Sequence, residues 1–287
     1  MPLPPEFDPE FYHRTYPDLA SMSGPELCDH YLAYGRGEGR IPSSAALREN
    51  FLSLIPQDAP LLEIGPFCNP CVVGTHVRYF DVLHRAGLIA RAERIGIDHS
   101  RTPEIHFTSP TGDLSVIPGT FGGALSSHCL EHQIDLIAHL NQVAQLLRPN
   151  GSYFLLVPDK RFCFDHFIAE STIAGVMEAH LSGRATHTVQ SVIEHRALTT
   201  HNDPARHWQG DHGSLSEVSN RVSKALLEIE DSAGAYIDVH AWQFTPDSFR
   251  TLMNVLKELR LTAFRPARIY DTPFGRLEFC AVLQKSS

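Results

Sequence analysis

From Ala59 onward the chain alternates short apolar runs with stretches of helical periodicity, which confines it to βα units around a mostly parallel sheet. Leu61-Leu62-Glu63-Ile64 predicts a first buried strand, broken by Gly65-Pro66. Val77 to Asp81 predicts a second, followed by a helix through Leu88, Ala92 and Ile95. Ile105-His106-Phe107 is a candidate third strand and Phe121 to Ser127 a fourth. Leu136, Ile137, Leu140, Val143, Ala144 and Leu147 then recur at steps of three and four, the stripe of a helix lying on a sheet, and Arg148-Pro149-Asn150-Gly151 ends it. Tyr153 to Val157 is the continuous apolar run of a strand covered on both faces.

Residues 160–243 break this rhythm with polar, His-rich, helix-prone sequence and read as an insertion. Regularity returns at Thr245-Pro246-Asp247, a capped helix start with Phe249, Leu252, Val255, Leu256 and Leu259 on one face. Two strands, about Ala263 to Tyr270 and Leu277 to Leu283, follow as a hairpin through Thr272-Pro273-Phe274-Gly275. Upstream, Asp8-Pro9 opens a helix that Pro17 ends; Ser23 to Glu26 opens another, with Leu27, Tyr31 and Tyr34 on one face and Gly35 and Gly37 as the stop. The expected organisation is a helical module over 1–45 and a main domain over 46–287, with the insertion as lid or acceptor-binding region. The module is too small to hold a core alone, so it is expected to dock on the main domain or on a partner, including a second copy in a homodimer.

With 43% hydrophobic content in 287 residues the chain can bury a substantial core, and it has no apolar run long enough to span a membrane. The beginning lacks a secretory signal and the six cysteines are scattered, so a cytoplasmic protein with reduced thiols is expected. A net charge of −9 without a basic cluster argues against nucleic acid as a partner.

The order of motifs is more informative than any one of them. LLEIGPFCNP is followed by an acidic second-strand end at Asp81, then Gly112-Asp113-Leu114, then SSHCLEH after the fourth strand, then LLRPNGSYFLLVPD. This succession resembles the class I S-adenosylmethionine-dependent methyltransferases from about Ala59 to Lys285, in the branch with an EIGP-type first loop and a long insertion after the fifth strand. The resemblance implies a Rossmann-like α/β sheet of seven strands with the last antiparallel, and S-adenosylmethionine as cofactor. It implies that Glu63 and Gly65 border the methionine part, that Asp81 holds the ribose hydroxyls, that Asp113 and Leu114 meet the adenine, and that Pro66, Asn69 and Ser127 are further cofactor contacts. A carboxylate suits a diol because it accepts two hydrogen bonds at once. The first loop departs from the commoner pattern in carrying a single glycine; an NAD-binding domain would require G-x-G-x-x-G there.

The segment FDPEFYHRTYPDLASMSGPELCDHYLAYGRGEGRIP resembles modules found beside bacterial glycosyltransferase and polysaccharide-modifying domains, which implies a saccharide acceptor or a glycosyltransferase partner. A small-molecule or saccharide acceptor needs alignment with the methyl donor and, for a hydroxyl, a base. His128 is the first candidate for that base, with His166 and His212 as alternatives. Candidate acceptor contacts are His132, Asp159, Arg161, Asp165, His207, Trp208, Asp211 and His240. His201, Asp203, His207, Asp211 and His212 match no metal-ligand spacing, so no metal is assigned and a solvated loop capping the sheet is expected. A metal-dependent enzyme centred on those histidines and a non-catalytic binding module are the alternatives.

Overall fold

The computed structural model describes residues 3–286. Asp8 accepts from the amide of Phe11, with Pro9 at the first helical position, so α1 (Pro9–Thr15) begins where the sequence places it. The Ser23 amide donates to the Glu26 carboxylate and opens α2 (Gly24–His30). A single π turn, Tyr31–Gly35, continues it. That wider turn takes Tyr34 off the stripe of Leu27 and Tyr31, so Tyr34 is exposed where one face had been expected.

Phe7, Tyr12, Leu19, Leu27, Cys28 and Tyr31 form a small core of their own. This segment docks on the rest through polar anchors. The Tyr31 hydroxyl donates to Asp271, and the Arg36 guanidinium grips the same carboxylate at 2.7 and 3.1 Å. Glu6, itself buried, pairs with Arg250 at 2.9 Å. A short helix, α3 (Arg48–Leu52), then drives Phe51 into a core shared with Leu61, Leu125, Phe154 and Tyr270.

The sheet strands and their helices follow in chain order: β1 (Leu61–Ile64), β2 (Val77–Asp81), α4 (Arg85–Ile95), β3 (Phe107–Thr108), β4 (Phe121–Ser127), α5 (Leu136–Leu146) and β5 (Leu147–Pro158). The insertion folds into α6 (Ile173–Leu181), α7 (Val189–Leu198), α8 (Pro204–Trp208) and α9 (Val218–Ser232). The chain closes with α10 (Pro246–Glu258), β6 (Phe264–Ile269) and β7 (Glu278–Lys285). The order across the sheet is β3-β2-β1-β4-β5-β7-β6, with β7 alone antiparallel to its neighbours. This is the Rossmann-like seven-stranded sheet of the class I methyltransferase fold. The main core joins the apolar stripes of α5 and α10 (Leu140, Val143, Phe249, Leu252) to Leu62, Ala124, Leu155 and Ala281 of the strands.

Three local expectations change. The third strand keeps only two paired residues, Phe107 and Thr108, because only these meet β2 in register. The segment Arg148 to Gly151 ends α5 but is taken up as a bulge in β5, where pairing jumps from Phe121↔Leu147 to Gly123↔Ser152 around Asn150 at φ +62. Leu259 is exposed, since α10 stops at Glu258 and leaves it past the buried stripe.

Because Tyr31 and Arg36 share one carboxylate, Asp271→Ala should leave both without their main acceptor and lower the stability by roughly 2–3 kcal/mol. Urea unfolding measures it; a change below about 0.5 kcal/mol would show that this anchor contributes little.

Candidate active site

β1 and β4 lie side by side and parallel, with Ile64 opposite Ser126, so the residues that follow each strand open at one edge of the sheet. Gly65 turns the chain there at φ +70, its amide bonded to the Phe80 carbonyl at 2.8 Å. A side chain at this position would meet the Cys129 sulfur at 2.9 Å, so the turn needs glycine both for its dihedral and for its clearance. Two residues on, the Phe67 amide donates to one Asp81 oxygen at 3.2 Å and the Val82 amide to the other at 2.7 Å. Each oxygen keeps a further lone pair, so the carboxylate remains a two-point acceptor. Burial pushes the Asp81 carboxyl pKa up, against the pull of these amides.

Glu63, buried in β1, accepts from the amides of Cys71 at 2.7 Å and Val72 at 3.2 Å, which folds the loop 65–72 back over the strand end. Its burial outweighs these bonds and raises its pKa from 4.5 to about 7. Between the two strand ends lies a cavity of about 250 Å³. Six residues anticipated from the sequence line it: Glu63, Gly65, Pro66, Asn69, Ser127 and His128.

Arg48 also lines the cavity and was not anticipated. Its Nη1 donates to both oxygens of Glu278 at 3.0 and 2.8 Å, and Nη2 donates to Ser127 Oγ at 3.0 Å. Glu278 meets His128 Nε2 at 2.6 Å on its other side. Arg48 sits in an unremarkable helix and gave no signal. Glu278 did: an acid opening the otherwise apolar strand EFCAVL is costly unless it is paired. Burial disfavours the His128 imidazolium, but Glu278 and Glu131 overcome that and hold its pKa above the usual value. The Glu278 carboxylate fixes the orientation of the ring through Nε2.

Six more of the candidates fall into two further groups. His132, Asp165 and His240 gather around Glu131, in the turn that follows β4. His166, His207 and His212 gather within the insertion, with the His166 and His212 rings stacked at 3.6 Å between centroids. Neither group lines the cavity. A wide groove of about 940 Å³ between α4 and α9 includes Leu83, two residues past Asp81, and Asp238, which faces His132 Nδ1 at 3.0 Å.

Several expected contacts are corrected by their surroundings. Asp159 is completely buried, with its carboxylate taken by Arg161 at 2.6 Å and by the Thr272 hydroxyl at 2.6 Å, so it ties the start of the insertion to the hairpin, while Arg161 itself stays half exposed. The Leu114 side chain is buried in the main core. Asp113 accepts from Ser115 and from Gln142 at 3.0 Å, a capping role for a half-buried side chain. Trp208 stacks on Phe162 at 3.8 Å and donates to the Arg276 carbonyl, so it anchors the insertion to the hairpin instead of presenting a free face. Asp211 closes its own loop by accepting from Arg206 and the Gly213 amide.

No family model and no curated protein matches the chain. Solved structures similar to it include magnesium protoporphyrin IX methyltransferase from Synechocystis with bound S-adenosylhomocysteine, at 11% identity and TM-score 0.38, covering 83% of this chain and 82% of that one. A SAM-dependent methyltransferase from Methanosarcina mazei has 13% identity and TM-score 0.38, covering 84% and 99%. The Burkholderia thailandensis 1,6-didemethyltoxoflavin-N1-methyltransferase has 15% identity and TM-score 0.39, covering 100% and 93%. These are likenesses only, and the fold is assigned from its own strand order. No helix among the described residues is long and apolar enough to cross a membrane.

The raised Glu63 pKa has a signed consequence. A carboxyl that binds its proton more tightly folded than unfolded contributes stability that is fully present below about pH 4.5 and lost as the pH rises through about 7. Glu63→Gln should therefore flatten the stability profile between pH 5 and 8 by on the order of 2–3 kcal/mol, measured by urea unfolding across that range. An unchanged slope would contradict the assignment.

Proposed function

We propose that this chain is a methyltransferase that takes its methyl group from S-adenosylmethionine and gives it to an oxygen or nitrogen of a small molecule, with a saccharide as the favoured acceptor class. The observation that carries the reading is the joined end of β1 and β2. A main-chain turn at Gly65 borders a cavity, and the next residues of that turn touch a carboxylate that still has two lone pairs free. That arrangement fits a ligand with a cationic, flexible end beside bare backbone and a ribose diol beside an acid.

S-adenosylmethionine supplies an activated methyl on a sulfonium, so the protein has to bind, align and keep out water. Asp81 would accept from the two ribose hydroxyls. Arg48 places a positive charge on the cavity wall for the amino-acid carboxylate, and Glu63 keeps the loop closed over it. The acceptor would enter by the groove between α4 and α9, whose wall carries Arg91, Arg196, Glu228 and Asp238, polar groups suited to a hydroxyl-rich molecule. The likeness of residues 1–45 to modules beside glycosyltransferases supports the saccharide.

Titration calorimetry with S-adenosylhomocysteine tests the reading. Wild-type protein should bind it, and Asp81→Ala should weaken binding at least tenfold, the effect of losing one or two charge-assisted hydrogen bonds. Asp81→Asn, which keeps an acceptor oxygen, should lose less and controls for collapse of the loop. No binding to wild-type protein at millimolar ligand would overturn the reading.

A further inference from the structure

The turn after β4 buries a carboxylate that has no partner. Glu131 is 1% exposed, and neither of its oxygens has a hydrogen-bond donor among the described residues. An ionised carboxylate in such a place is costly unless a positive group meets it. Two imidazoles are aimed at it. His240 Nε2 lies 3.9 Å and His132 Nε2 4.0 Å from the same oxygen, Oε1. Both separations are too long for hydrogen bonds.

The other ring nitrogen of each histidine faces an acid. His240 Nδ1 meets Asp165 Oδ2 at 2.6 Å, and His132 Nδ1 stands 3.0 Å from Asp238 Oδ1. An imidazole that gives its Nδ1 proton to a carboxylate keeps its Nε2 lone pair free and more basic, the arrangement that orients histidine on a metal, and His240 has it; His132 Nδ1 lies near its acid without hydrogen-bond geometry. The backbone holds the parts together: the Glu131 carbonyl accepts from the amides of Ala241 at 2.7 Å and Trp242 at 3.1 Å, next to His240. Ligand atoms about 2.1 Å from a shared cation stand roughly 3.4 Å apart in a tetrahedral site, so each histidine has to approach the Glu131 oxygen by about half an ångström to close around an ion.

We propose that Glu131, His132 and His240 form a binding site for one divalent transition cation of the Mn²⁺ to Zn²⁺ series. Two imidazole nitrogens and one carboxylate suit these ions better than Mg²⁺ or Ca²⁺, which prefer all-oxygen shells. Three protein ligands leave coordination positions open. Those positions would take an oxygen of the acceptor entering by the groove that Asp238 lines; this last clause rests on the methyltransferase reading, whereas the ion site does not. The other histidine group, His166, His207 and His212, serves less well. The rings of His166 and His212 stack 9° from parallel, so their in-plane lone pairs cannot converge on one ion, and no buried carboxylate joins them.

The test is titration of the chelator-treated full chain with MnCl₂ and with ZnSO₄, by calorimetry and by thermal unfolding. Wild-type protein should bind one ion per chain and melt at higher temperature with it. Glu131→Gln should bind at least tenfold more weakly. Without metal it should melt no lower than wild type, because it removes an unpaired buried charge, so a loss of binding is not a loss of fold. Asp165→Asn, which only frees His240 to turn, should weaken binding by about tenfold. His212→Gln should bind as wild type. Absence of a stoichiometric ion, equal binding by Glu131→Gln, or loss confined to His212→Gln would each overturn the proposal. S-adenosylhomocysteine titrated into the same metal-free protein separates the two claims, since binding of nucleoside without ion sinks only the metal site, and ion without nucleoside sinks only the donor reading.

Discussion

The contact between the Phe67 amide and the Asp81 carboxylate joins the turn after β1 to the end of β2, and the candidate site is arranged around that join. It depends on the chain leaving β1 at once. Gly65 provides this, since it alone can take φ +70 and pass the Cys129 sulfur. Glu63 then holds the far side of the loop through two amides, so a short stretch of chain is fixed at both ends by acids and lies across the carboxyl edge of the sheet. The cavity is what this loop leaves open.

The end of β4 is held from two directions. On one side Arg48, from the segment before the sheet, and Glu278, from the reversed strand β7, form a chain of charges that reaches His128. On the other, the insertion returns at Ala241 and Trp242 to bond the Glu131 carbonyl, which brings His240 against the turn. Residues distant in sequence thus meet in two polar clusters flanking one strand end. Their roles differ: the first pairs its charges with one another on the cavity wall, and the second leaves a buried acid unpaired.

Much of this was legible in the sequence because local rules dominate there. The period of the apolar residues gave the seven strands and the capped helices, and the acid-then-glycine exit of LLEIGP located the cavity, six of whose lining residues were named in advance. What was not legible depended on long-range pairing. Arg48 and Glu278 are 230 positions apart and become a pair only when β7 threads between β5 and β6. Asp159 and Trp208 looked available because polar and aromatic residues at loop positions often are, but Arg161, Thr272 and Phe162 cover them. The insertion histidines could not be divided by spacing, since Asp165 and His240 lie 75 positions apart and share one hydrogen bond.

A crystal structure of the full chain with S-adenosylhomocysteine tests the central claim most directly. The account predicts the ribose on the Asp81 carboxylate and the amino-acid end in the cavity beside Gly65 and Arg48. A nucleoside seated elsewhere, with Asp81 still bonded only to Phe67 and Val82, would contradict it.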